Sequence, residues 1–173
     1  VGRTEIPAVS SRLGNGQERT SAMAIKRVGH VVIKMRDLSK AKQFYVGFLG
    51  MKVGNESPRG MFLRFSDYHH DIAIFKTGDD ADLPKENQVG LVHLALVCDG
   101  DETVRSYYDK AKAEGIEIAG WTDHDVTHSL YLKDPEGNVV ELYAETTYNW
   151  KEGGMGFRSK AFDIEAVPSP VSV

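Results

Sequence analysis

The sequence has almost no cysteine, no long apolar run and no cluster of basic residues, and each absence removes a class of protein. Cys98 is the single cysteine among 173 residues. An intrachain disulfide framework is therefore excluded, and a reducing cytoplasm is the expected compartment. No apolar run approaches the roughly 18 residues of a membrane-spanning helix. Lysine and arginine are scattered and the net charge is −4, which does not suit a nucleic-acid footprint. Residues 1–25 lack the apolar core of a signal peptide. They read as a flexible extension or an added segment outside the fold, with Met23 a candidate start. What remains is an ordinary globular composition, 41% hydrophobic and 27% charged, sufficient for one domain or two small modules sharing a core.

The chain repeats itself. "VGHVVIKMRDLSKAKQFYVGFLGMKV" reads as a strand, a helix and the start of another strand. Ala41, Phe44, Tyr45, Phe48 and Leu49 follow helical spacing, and Gly50 stands at the stop position. "LVHLALVCDGDETVRSYYDKAKAEGIEI" has the same grammar, with Val104, Tyr107, Tyr108 and Ala111 as the helix stripe and Gly115 as its stop. Short strands follow each helix, near 52–56, 61–66 and 71–76, then near 117–121, 129–133 and 139–144. The expectation is an α+β fold of two paired βαβββ modules, residues 26–77 and 89–146. A polar linker (78–88) joins them, and an irregular tail (147–173) follows.

Two histidines occupy matching places in this repeat: His30 and His93 each stand in the first strand of a copy. A lone histidine in an apolar strand is more often a satisfied core residue, but a matched pair suggests two rings converging on one point. Neutral imidazoles so arranged suit Fe, Mn, Zn or Cu. A third candidate is Glu141 in "DPEGNVVELY", where a tight turn feeds a strand with apolar neighbours on both sides of the acid. Burying such an acid is costly unless it is paired or metal-bound. The alternative is an edge strand with Glu141 in solvent.

Paired βαβββ modules, a histidine in each first strand and the closing "DPEGNVVELY" together resemble the vicinal oxygen chelate superfamily, over residues 26–146. Within that span, "TDHDVTHSLYLKDPEGNVVE" is similar to the signature of type I extradiol ring-cleaving dioxygenases. The resemblance implies an open half-barrel with a central metal site, and His30, His93 and Glu141 as ligands of Fe(II), with Mn(II) as the other candidate. It implies a small aromatic diol and O2 as substrates, and a homo-oligomer. It also implies catalytic roles for three residues. His70, in "HDIA", would accept a hydroxyl proton and return it later, Tyr131 would hydrogen-bond a substrate oxygen, and His124 would position substrate or O2.

Other members differ in ways the residues address. Glyoxalase-like lyases use a fourth ligand, an acid in the last strand of the first module; the matching position here is near apolar Ile74, and Asp71 stands too early. Fosfomycin-inactivating thiol transferases share two histidines and a glutamate but have no need of His70. Drug-sequestering proteins of the same superfamily need no metal triad. His69, adjacent to His70 in an expected strand, should point outward, and His128 has the wrong parity to share a face with Tyr131.

Overall fold

The computed structural model describes residues 24–85, 87–154, 156 and 158–169. The N-terminal extension expected over residues 1–25 thus lies almost wholly outside the described residues. Each half of the chain builds one four-stranded mixed sheet. In the first, β1 (Val31–Met35), β2 (Lys52–Ser57), β3 (Gly60–Arg64) and β4 (Ile72–Lys76) lie in the order β1-β4-β3-β2. In the second, β5 (Leu94–Val97), β6 (Ile118–Asp123), β7 (Thr127–Lys133) and β8 (Val139–Glu145) repeat that order as β5-β8-β7-β6. The first strand of each half runs parallel to the last, and the other pairings are antiparallel.

Local chemistry explains the helices. Asp37 accepts hydrogen bonds from the Ser39 and Lys40 amides and starts α1 (Leu38–Lys42), which continues as a π-helical segment (Gln43–Phe48). Asp101 and Glu102 complement the dipole at the start of α2 (Asp101–Glu114), and Gly115 ends it in the left-handed conformation at φ +70°. The tail contains a short helix, α3 (Trp150–Gly153), and a 3-10 turn (Ile164–Ala166). Apart from these two short elements and the isolated bridge at Lys160, the described tail is irregular, yet it is packed on the fold. Ile164 is fully buried, and Arg105 donates from Nη1 to the carbonyls of Ile164, Glu165 and Val167.

One hydrophobic core serves both halves. Ile33, Met35, Met61, Leu63, Ile72 and Ile74 from the first sheet join Leu130, Leu132, Val140 and Leu142 from the second, with Phe44, Phe48, Val104 and Tyr108 from the helices. The halves are pinned by polar contacts at the "DPEG" turn. Asp134 accepts the Tyr45 hydroxyl at 3.0 Å, and Glu136 accepts the Arg36 and Asp37 amides at 2.8 and 3.1 Å. The sequence marks this segment as a tight turn within the family-like motif. In the fold it is also the lock between modules.

The two sheets do not hydrogen-bond to each other, so β1 and β5 each remain an edge strand among the described residues. No helix among the described residues is long and apolar enough to cross a membrane. Cys98 is a free, half-buried thiol whose pKa burial, and then Asp99, push up to about 11. With the thiolate about 100-fold scarcer than in an ordinary thiol, iodoacetamide at pH 8 should alkylate folded protein about 100-fold more slowly than glutathione. Labelling at the glutathione rate would show that Cys98 lies in an open environment.

Candidate active site

Alternation along the strands sorts the candidate residues onto faces. The faces carrying Ile33, Met35, Ile72 and Ile74, and Leu94, Leu96, Val140 and Leu142, meet the core. The opposite faces carry the candidate residues. On the second sheet β8 is an inner strand, with Glu141 opposite Ala95 on β5 and Tyr131 on β7. An inner strand accounts for a carboxylate only 7% exposed, and the solvent-exposed edge alternative does not hold.

The burial of Glu141 is compensated by two partners. Its Oε2 lies 2.9 Å from His93 Nε2, and its Oε1 accepts the Tyr131 hydroxyl at 3.0 Å. The Tyr131 hydroxyl also lies 2.8 Å from His124 Nε2, and His124 Nδ1 lies 2.6 Å from the Arg158 carbonyl. His93, Glu141, Tyr131 and His124 thus form one connected group. Burial first, and then Glu141, raise the Tyr131 pKa to about 12, so the phenol keeps its proton as a donor throughout the neutral range. His128 lies on the other face, stacked on Phe162 and bonded to Asp101.

The first sheet carries the remaining candidates. His30 immediately precedes β1 and shares the parity of exposed Val32 and Lys34. Its ring centroid is 4.3 Å from that of His70, which lies 4.9 Å from Phe62. Partial loss of water, then His30 and His69, hold His70 below the ordinary histidine pKa, leaving it neutral and able to accept a proton near pH 7.

The local structure at His69 differs from the expected strand. β4 begins only at Ile72, so residues 69 and 70 lie in a bend where strand parity does not apply. His69 Nδ1 meets His70 Nδ1 at 2.5 Å, and its ring is 6.5 Å from that of His30. His69 is nonetheless exposed, as expected of an outward neighbour, and hydrogen-bonded to His70.

Register also refines the search for a fourth ligand. Ala73 pairs with Val32 and Phe62 as Glu141 pairs with Ala95 and Tyr131. The counterpart of Glu141 is therefore Ala73, one residue from the expected Ile74, and equally unable to bind a metal. The counterpart of Tyr131 is Phe62. Asp71 is occupied elsewhere, accepting from the Phe65 and Ser66 amides.

The expected convergence of His30 with His93 and Glu141 does not occur within one chain. Among the described residues no three His, Cys, Asp or Glu side chains are grouped to hold a metal ion. The physical reason is the shared core: the modules meet through their helices and inner faces, so each outer face is turned away from the contact. His93 and Glu141 are a donor pair suited to Fe(II) or Mn(II), but a single chain does not complete the set.

Two clefts lie nearby. The larger, about 1000 Å³, runs along Arg36, Lys42, Pro135 and Glu136 and touches none of these candidates. The second, about 640 Å³, reaches His93 along Leu91, Val92 and Val140. The convergence of titratable side chains outweighs cleft size here, and it marks the outer sheet faces as the candidate site.

Comparison with known proteins follows the same lines. A family model for the Glyoxalase/Bleomycin resistance protein/Dioxygenase superfamily matches residues 27–142. Biphenyl-2,3-diol 1,2-dioxygenase 3 of Rhodococcus globerulus is 35% identical over 118 residues, covering 67% of this chain and 62% of that protein. Catechol-2,3-dioxygenase of Bacillus subtilis is 28% identical over 152 residues, covering 86% of this chain and 53% of that protein. The chain thus spans under two thirds of the length of these two relatives. Among solved structures, a fosfomycin resistance protein from Listeria monocytogenes, complexed with Mn(II) and sulfate, superposes with a TM-score of 0.58. It shares 22% identity, covering 72% of this chain and 94% of that one, a likeness of fold.

Proposed function

Because the chain belongs to the glyoxalase/bleomycin resistance protein/dioxygenase superfamily, we propose that it is an Fe(II)-dependent extradiol dioxygenase acting on a catechol-type aromatic. The observation that carries this reading is the connected group His93–Glu141–Tyr131–His124 on one outer face. It is complemented by His30 and His70 in ring contact on the other. Two relatives named for diols with adjacent hydroxyls support the substrate class.

Each residue has a chemical task in this reading. His30, His93 and Glu141 would hold Fe(II), which when bound would supply open positions for a vicinal diol and for O2. Neutral His70 takes a substrate hydroxyl proton and later returns it. Tyr131, protonated over the working range, hydrogen-bonds a substrate oxygen. His124 orients Tyr131 from behind. Phe62 and Phe75, ring centroids 6.0 Å apart, offer an apolar wall beside His70 for the aromatic substrate.

The divided geometry calls for a second copy of the chain. Bringing the two outer faces together within one chain would require pulling apart the common core. A two-fold pair, with the His30 face of each copy against the Glu141 face of the other, builds two identical sites without that cost. Exposed apolar residues edge both faces: Val28, Val32 and Phe75 on one, Leu91, Val92 and Val97 on the other. Such a rim suits a protein–protein contact better than water. Free Cys98 fits a reducing, cytoplasmic setting.

The test is anaerobic reconstitution with Fe(II), addition of catechol or 2,3-dihydroxybiphenyl, then air. Yellow ring-opened product is expected, with about one iron per chain by metal analysis. Protein that holds iron but turns over no diol in a catechol panel would sink the dioxygenase reading. Consumption of fosfomycin with Mn(II) and a thiol would then select the transferase chemistry.

A further inference from the structure

The C-terminal segment from Arg158 to Ser169 does more than pack. It follows the outer edge of the second sheet, where the Lys160 and Asp123 backbones exchange hydrogen bonds at 2.8 and 3.2 Å. Phe162 stacks on His128 with ring centroids 4.3 Å apart and planes 15° from parallel. Ile164 enters the core, and Arg105 caps three carbonyls beyond it. Near its start, the Arg158 carbonyl faces His124 Nδ1 at 2.6 Å.

That contact has a definite chemical consequence. A carbonyl oxygen can only accept, so the proton must reside on His124 Nδ1. His124 Nε2, 2.8 Å from the Tyr131 hydroxyl, is then an acceptor turned toward the site, and it shares the single phenol proton with Glu141 Oε1 at 3.0 Å. Were Arg158 displaced, the ring would be free to carry its proton on either nitrogen. The direction of the hydrogen bond to Tyr131 would then no longer be set from outside.

A second feature indicates that this arrangement is built. Asp125, directly after His124, has φ +66°, and it is the one non-glycine residue with positive φ among the described residues. Such a conformation is disfavoured for a residue with a side chain and persists where its surroundings impose it. Here they do. The Asp125 amide bonds to Asp123 Oδ1 at 2.6 Å, and its carbonyl accepts the Thr146 hydroxyl. The Asp125 side chain, only 10% exposed, holds Arg158 Nη1 at 3.1 Å and also Lys160 Nζ. One carboxylate therefore grips the segment on both sides of the residue following Arg158.

We propose that Arg158–Ser169 is a positioning strap for the active site, in which Asp125 clamps Arg158 so that its carbonyl holds His124 in the Nδ1-protonated form. Asp125 and the strap are positioning groups, acting through His124 on Tyr131. The catalytic consequence rests on the dioxygenase reading. The structural consequence, a fixed tautomer, does not.

The decisive variant is Asp125→Gly in the full chain. Glycine adopts positive φ freely, so the change removes the clamp without adding strain. ¹⁵N-detected NMR of the histidine rings should show a single Nδ1–H form for His124 in the unaltered protein and a mixture in Asp125→Gly. With iron and catechol, kcat should fall about tenfold while KM stays within about twofold, the usual scale for a group that orients a site residue. Asp125→Asn, which tolerates the same φ and still accepts a hydrogen bond, should recover most of both signals. Phe162→Ala loosens the strap at a separate anchor and should shift the tautomer in the same direction. An unchanged His124 tautomer in Asp125→Gly overturns the proposal, whether or not diol is cleaved. A shifted tautomer with unchanged kcat overturns the positioning role. If the unaltered protein cleaves no diol, the dioxygenase reading fails while the tautomer comparison still decides the strap.

Discussion

Mixing two inactive variants, His30→Ala and Glu141→Ala, should restore ring cleavage that neither has alone. Each homodimer would carry two broken sites, one set lacking the histidine and the other the carboxylate. In a mixed dimer, one site receives His30 from the Glu141→Ala copy and His93 with Glu141 from the His30→Ala copy. That site is intact, and the other lacks both groups. Random reassociation makes half the dimers mixed, so about one quarter of the unaltered site count should return. The variants are unfolded and refolded together, or incubated until subunits exchange, and diol turnover is then measured. A three-donor set gathered within one chain predicts no recovery at any mixing ratio. The expected contrast is large because losing a ligand from a set of three removes activity almost entirely. Size-exclusion mass analysis of each variant separates loss of the site from loss of the dimer.

Asp134→Ala should cost about 3–5 kcal/mol of unfolding free energy, the range for breaking a buried, multiply bonded carboxylate. Asp134 is 4% exposed and serves four donors. These are the Tyr45 hydroxyl at 3.0 Å, and the Glu136 amide, Asn138 amide and Asn138 Nδ2, each at 2.9 Å. Truncation leaves a buried phenol unpaired and loosens the turn that presents Glu136 to the Arg36 and Asp37 amides. The Tyr45 phenol cannot escape by ionising, because burial and then Asp134 hold it well above its usual range. Tyr45→Phe removes one of the four bonds and nothing else, so it should cost only about 1 kcal/mol. Urea unfolding at one fixed protein concentration measures both, since any association of copies would make stability concentration-dependent. If Asp134→Ala lies within 1 kcal/mol of the unaltered protein, the turn is not the lock between modules.

The candidate site was only partly legible in the order of residues. His70 was identified by its local "HDIA" pattern, yet the same reading placed it and His69 in a strand that starts later, at Ile72. The cause is Asp71, whose carboxylate ties back to Phe65 and Ser66 and holds residues 66–71 in a bend. Phe62, the counterpart of Tyr131, carries no sequence signal beyond strand alternation; register alone reveals it. Arg158 had no signal at all, since it acts through a backbone carbonyl that every residue possesses. Glu136 read as a turn residue because its partners lie in the other module, 100 residues away along the chain.

The sequence by itself determined the two βαβββ modules, the matched places of His30 and His93 and the placing of Glu141 opposite its apolar neighbours. All three follow from short-range rules: strand side chains alternate with period two, helical ones with period 3.6, and Gly and Pro punctuate between them. What only the tertiary structure decided is which faces of the modules meet. Helices and inner faces share one core, β1 and β5 stay unpaired edges, and His30 is kept from His93 and Glu141. Periodicity states that a side chain lies on a face, but it does not state what that face packs against. That choice is made by the total apolar area buried between distant segments, and here it divides the candidate residues between two outer surfaces.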